Sequence, residues 1–82
     1  MRIFSYRLLA DLLHAATQKR NPDGRRVTQD EISKRAGVSR QYLNDLSKGG
    51  RPRPSAEIIA AIATALEVPM DALMEEAVTE EV

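Results

Sequence analysis

Arg40, Gln41, Asn44 and Asp45 fall within six positions of one another, and each carries a side chain suited to the edges of base pairs. An arginine holds guanine O6 and N7 together, glutamine and asparagine pair with adenine N6 and N7, and aspartate accepts from cytosine N4. Asp45 has an alternative use, orienting Gln41, or Arg40 across the helix face, so that wrong bases are refused. The rest of the inventory is narrower. Without cysteine there are no disulfides, thiolate metal sites or cysteine nucleophiles, which fits a reducing compartment. The single histidine, His14, sits among Leu12, Leu13, Ala15 and Ala16 with no second imidazole or thiol, and reads as a packed or rim residue. No pair of carboxylates, nucleophile with a base, phosphate loop or metal cluster is recognisable. The expectation is no catalytic residue, no metal, no cofactor, no small-molecule substrate and no enzymatic activity.

The elements that position these side chains are helical. Ser5 caps a first helix with Leu8, Leu9, Leu12, Leu13 and Ala16 at helical spacing, and Phe4 and Leu9 are placed to form a hydrophobic staple. This helix fades near Thr17, where a polar, basic loop from Gln18 to Arg26 carries the turn residues Pro22-Asp23-Gly24. Thr28 and Glu31 form a capping box that opens a second helix, which stops at Gly37. Ser39 caps a third helix running to about Lys48, and Gly49-Gly50-Arg51-Pro52-Arg53-Pro54 cannot continue it. Ser55 caps a fourth helix with an apolar stripe of Ile58, Ile59, Ile62, Ala63 and Leu66, broken by Pro69. Met70 to Ala77 suits a short fifth helix with Met70, Leu73, Met74 and Ala77 on one side.

At 82 residues the chain holds one domain, expected over 1–77 with an acidic tail at 78–82. Phe4, Tyr6 and Tyr42 are the only aromatics, so the core must be aliphatic, a composition that favours helices over sheets. The net charge of zero conceals a division. Met1 to Pro54 holds all twelve Lys and Arg against five acids, a net +7, whereas Ser55 to Val82 has seven acids and no Lys or Arg, a net −7. One end suits a polyanion and the other would be repelled by it. Glu75, Glu76, Glu80 and Glu81 read most simply as a solubilising tail. There is no apolar run long enough to span a bilayer and no signal-peptide h-region, so the expected location is the cytoplasm.

The second and third helices are joined by about three residues, and such a pair crosses steeply only where the residues at the crossing are small. Counting Gln29 as the first position, the fifth is Ser33 and the ninth is Gly37. The apolar fourth, eighth, tenth, fifteenth and eighteenth are Ile32, Ala36, Val38, Leu43 and Leu46. A bulky fifth residue would clash with the following helix, and a side chain at the ninth would strain the turn. From Gln29 to Lys48 every constrained position holds a suitable residue, which defines a helix-turn-helix.

These residues resemble the helix-turn-helix repressors of the lambda repressor and Cro type, the xenobiotic-response-element family. The likeness is carried by Thr28-Gln29-Asp30-Glu31-Ile32, Arg35-Ala36-Gly37-Val38-Ser39, Tyr42-Leu43 and Leu46-Ser47-Lys48-Gly49. Pro54-Ser55 with Ile58, Ile62-Ala63, Ala65-Leu66, Val68-Pro69 and Leu73 resembles the family's fourth and fifth helices, so the likeness covers roughly Leu8 to Ala77. It implies an all-α, compact five-helix lambda-repressor-like domain that binds double-stranded DNA, usually as a dimer. The Gln18–Val27 loop departs from the family, which often has a short turn there.

The resemblance also implies roles. The third helix would lie in the major groove with Arg40, Gln41, Asn44 and Asp45 facing base edges. Gln29 matches a position that grips a phosphate, as helix N-termini favour. Lys48, Arg51 and Arg53 would follow the sugar-phosphate backbone, and Arg25 and Arg26 would join them only if the basic loop folds toward DNA. Tyr42 would pack its ring into the helix-turn-helix, with its hydroxyl in reach of a phosphate. The expected function is a sequence-specific transcriptional regulator, a repressor acting as a homodimer on a two-fold symmetric operator. Its seam would include Met70, Leu73, Met74 and Ala77, which otherwise serve as core fill. The alternative is an antitoxin that represses its own operon through the same domain, with the acidic, Met-bearing C-terminal part as the only surface for a toxin.

Overall fold

A computed structural model describes residues 1–20 and 22–76. Among the described residues four α-helices, α1 (Tyr6–Gln18), α2 (Gln29–Ala36), α3 (Arg40–Ser47) and α4 (Ala56–Ala65), surround one aliphatic core. Each begins where a hydroxyl can accept an otherwise orphaned backbone N–H. Ser5, Thr28, Ser39 and Ser55 accept from Leu8, Glu31, Tyr42 and Ile58 respectively. Only half of the expected capping box forms, because the Glu31 carboxylate turns to Arg35, 3.7 Å away and one helical turn on.

The ends are as local as the starts. Gly37 closes α2 at φ 75°, and the N–H of Val38 reaches back to the Ser33 carbonyl at 3.0 Å. That is the Schellman arrangement, which needs a left-handed residue after the cap. Gly49 plays the same part after α3, with Gly50 donating to the Asp45 carbonyl at 2.8 Å. After α4 the left-handed position is taken by Glu67, at φ 59°, and Val68 donates to the Ala63 carbonyl. The helix therefore ends at Ala65, before Pro69 is reached.

The core is made of Leu9 and Leu13 of α1, Ile32 of α2, Leu43 and Leu46 of α3, and Ile59, Ile62, Ala63, Ala65 and Leu66 of α4 and its cap, joined by Phe4 and Leu73. α2 packs on α3 and α4, and α1 on α3. Ser33 is buried at the α2 crossing, with its hydroxyl satisfied by the Asp30 carbonyl at 2.8 Å, as a small fifth position requires. Phe4 and Leu9 are both buried, and Phe4 meets Tyr6 edge to face at 5.2 Å.

The expected fifth helix does not form. Met70–Leu73 makes a single 3₁₀ turn, and Met74–Glu76 is a strand, β2, paired antiparallel with β1 (Arg2–Phe4). Phe4 lies opposite Met74, Ile3 opposite Glu75 and Arg2 opposite Glu76, and Ser5 donates to the Leu73 carbonyl at 2.9 Å. The Arg2 guanidinium reinforces this by donating to the carbonyls of Asp71 and Met74. The helical spacing of Met70, Leu73 and Met74 is met another way. Leu73 is fully buried, Met74 packs against the core from the strand, and Met70 is exposed. Glu75 belongs to this clasp rather than to a free tail, its carboxylate 3.4 Å from Arg7. Ala77, the 77/78 domain boundary, Glu80 and Glu81 lie outside the described residues. His14 is exposed, so it is a surface residue rather than a packed one.

Candidate nucleic-acid interface

The turn between α2 and α3 sets the first residue of one helix beside the first turn of the next. Gln29, Arg40, Gln41 and Asn44 line one open depression of about 430 Å³ as a result. Arg40 and Gln41 are exposed, and Gln29 and Asn44 are half-buried. All four side chains are outside the core cluster, because Tyr42, Leu43 and Leu46 take the inward positions of α3. The surface so formed gathers exposed donors and acceptors at the N-terminal end of α3, the part of a helix-turn-helix that faces base edges when it lies in a major groove.

Asp45 is held differently. Its carboxylate does not line the depression and makes no hydrogen bond or ion pair with Gln41 or Arg40. It lies 3.5 Å from the guanidinium of Arg51. That guanidinium in turn sits 5.4 Å above the ring of Tyr42, a cation–π distance. The sequence places Asp45 with the base-reading set and Arg51 with the phosphate-binding set, and the structure brings the two together. Lys48, the C-cap of α3, and Arg53 are exposed. Lys34 and Arg35 on α2 are drawn to Asp30 and Glu31 of the same helix, at 3.1 and 3.7 Å.

Tyr6 was not among the residues the sequence singles out. Its hydroxyl donates to the Arg51 carbonyl at 2.9 Å, tying the loop after α3 to the start of α1. The one available signal was its position, an aromatic in the first turn that stands apart from the leucine stripe. No helix among the described residues is long and apolar enough to cross a membrane. Among the same residues no group of three or more His, Cys, Asp or Glu is gathered as a metal site would need.

Residues 18–73 match the helix-turn-helix family model, and the chain belongs to that DNA-binding family, of the xenobiotic-response-element type. It is similar to the transcriptional regulator ClgR of Mycobacterium tuberculosis, in strains CDC 1551 / Oshkosh and ATCC 25618 / H37Rv, with 37% identity over 67 residues. That match covers 82% of this chain and 54% of the relatives, so the chain spans about half of their length. Among solved structures it resembles the restriction-modification controller protein C.AhdI from Aeromonas hydrophila. The TM-score is 0.63 at 25% identity, covering 83% of this chain and 84% of that one.

Proposed function

We propose that this chain is a sequence-specific binder of double-stranded DNA that regulates transcription, a repressor acting in the cytoplasm as a homodimer on a two-fold symmetric operator. The observation that carries this reading is the convergence of Gln29, Arg40, Gln41 and Asn44 on one exposed surface at the helix-turn-helix. In that reading Arg40, Gln41 and Asn44 read base edges, while Gln29, Lys48, Arg51 and Arg53 hold phosphates. Asp45 acts on specificity through Arg51 as well as through the bases. The named relatives, a transcriptional regulator and a controller protein, support regulation as the outcome of binding. A dimer doubles the few base contacts that one small domain offers, and its half-sites would lie about one helical turn apart.

The dimer seam needs a surface other than the one the helical pattern suggests, since Leu73 is consumed by the core and Met74 packs against it. The same burial removes most of the apolar surface on which an antitoxin reading depends, and the DNA-binding reading is therefore preferred.

Selection from a random duplex pool tests the proposal. It should enrich an inverted repeat, protected in footprinting over both half-sites by two chains. With about six to ten phosphate contacts, affinity for that repeat should fall roughly 10³–10⁵-fold between about 50 and 200 mM salt. Enrichment of no motif, or an affinity indifferent to salt, would contradict the proposal.

A further inference from the structure

The loop between α1 and α2 is not a slack connection. Arg20 and Arg26 form an antiparallel bridge, and Val27 donates to the Lys19 carbonyl at 3.2 Å. The turn is closed by local bonds: Asp23 accepts from the backbone of Arg25 at 3.0 Å, and the Arg20 guanidinium donates to the Gly24 carbonyl at 3.0 Å. Val27 anchors the base by packing against the core. The result is a short hairpin whose side chains Lys19, Arg20, Arg25 and Arg26 are all exposed. Among the described residues one carboxylate, Asp23, faces them, 3.9 Å from Arg25.

Its charge pattern is costly for the hairpin itself. Bridge partners project on the same face, so Arg20 and Arg26 set like charges opposite one another, which is destabilising in a free ladder. An anion laid along that face would remove the repulsion. The position of the hairpin says which anion. Arg26 is three residues from Gln29, so its backbone lies within about 10 Å of that residue, one of those that line the depression. Lys48, Arg51 and Arg53 follow the opposite end of α3, about 12 Å along the helix. The hairpin leads into the helix-turn-helix at the start of α2, and Lys48, Arg51 and Arg53 leave it at the end of α3, so the two cationic groups flank it along the chain.

We propose that the Lys19–Val27 hairpin is a second phosphate-gripping element, which holds the DNA backbone on the side of the major groove opposite Lys48, Arg51 and Arg53. This rests on the DNA-binding reading above and extends it to a surface outside the helix-turn-helix.

The test uses the full chain with the duplex selected above, comparing wild type with Arg20→Ala/Arg26→Ala and Arg20→Lys/Arg26→Lys. The alanine pair should lower the slope of log affinity against log salt by about 0.9 per lost contact, and affinity at about 0.15 M salt on the order of 30-fold per bound chain. Base preference should be unchanged, and the lysine pair should retain most of the slope. Phosphate-ethylation interference should lose signals flanking the half-site in the alanine pair alone. An alanine pair with wild-type slope overturns the hairpin assignment while leaving DNA binding in place. A lysine pair as defective as the alanine pair overturns it too, since the effect then follows hairpin geometry rather than charge. A wild-type chain that binds no duplex overturns the underlying reading first, and this one with it. Melting curves by circular dichroism establish that the variants are folded.

Discussion

The carboxylate of Asp45 lies 3.5 Å from the guanidinium of Arg51, so a residue on the exposed side of α3 restrains a cation in the loop that follows it. Both side chains are substantially exposed, at 34% and 42%, so the pair contributes little to stability, within about 0.2–1 kcal/mol for such exposed pairs. Its larger consequence is for binding. An arginine committed to a carboxylate and an aromatic face is less available to an arbitrary phosphate.

Asp45→Asn should therefore raise affinity for non-specific duplex. The slope of log affinity against log salt should steepen by about 0.9 if Arg51 gains one phosphate. Unfolding midpoints should barely change. Fluorescence anisotropy on a scrambled duplex is the measurement, and an affinity equal to or below wild type would show that Asp45 does not restrain Arg51.

Reading and gripping should separate by variant. Arg40→Ala or Gln41→Ala should cost about 1–3 kcal/mol on the selected operator and relax the choice of base at one position per half-site. Arg53→Ala should weaken all sequences alike and lower the salt slope by about one. The ratio of specific to non-specific affinity falls in the first class and holds in the second. If Arg40→Ala preserves base preference and Arg53→Ala abolishes it, the wrong element has been assigned to the groove.

Glu67 occupies a left-handed conformation that side chains resist, at a cost of about 1–2 kcal/mol. Glu67→Gly should relieve part of it, with the gain reduced by the freer unfolded chain, for a net stabilisation of about 0.5–1 kcal/mol. Gly37→Ala is the mirror experiment. Open space surrounds the position, so its cost of about 1 kcal/mol would come from φ 75° rather than from a clash. Urea denaturation measures both, and equal stabilities for Glu67→Gly and wild type would mean that the strain is no larger than the entropy glycine adds to the unfolded chain.

The clasp between the two ends should matter to the helical core. Phe4 is 3% exposed, and Phe4→Ala should cost about 3–5 kcal/mol, a large share of the stability of an 82-residue domain. Tyr6→Phe removes only the hydroxyl that holds the Arg51 carbonyl, and should cost about 0.5–1.5 kcal/mol. Hydrogen exchange should show the loss concentrated at 49–54 in the Tyr6 variant and spread through α1, α3 and α4 in the Phe4 variant. Uniform loss in both would separate Tyr6 from the loop.

Much of what near neighbours set could be read from the sequence, although the turn of Glu31 to Arg35 and the left-handed Glu67 could not. The four helices, their caps at Ser5, Thr28, Ser39 and Ser55, and the left-handed turn at Gly37 each depend on residues within about five positions. The clustering of Arg40, Gln41 and Asn44 was legible for the same reason, since one helical period groups them and the turn geometry sets Gln29 beside them. What tertiary structure decided is what depends on distant pairing. Met70 to Glu76 has a helical pattern, but the strand bonds it makes to Arg2–Phe4 lie some seventy residues away and leave no local mark. The Asp45–Arg51 pair depends on how the loop folds back over Tyr42, and the Tyr6 clamp depends on α1 packing beside α3. A hydrogen bond or ion pair between remote segments is selected by the packed core that brings them into reach, and periodicity carries no record of it.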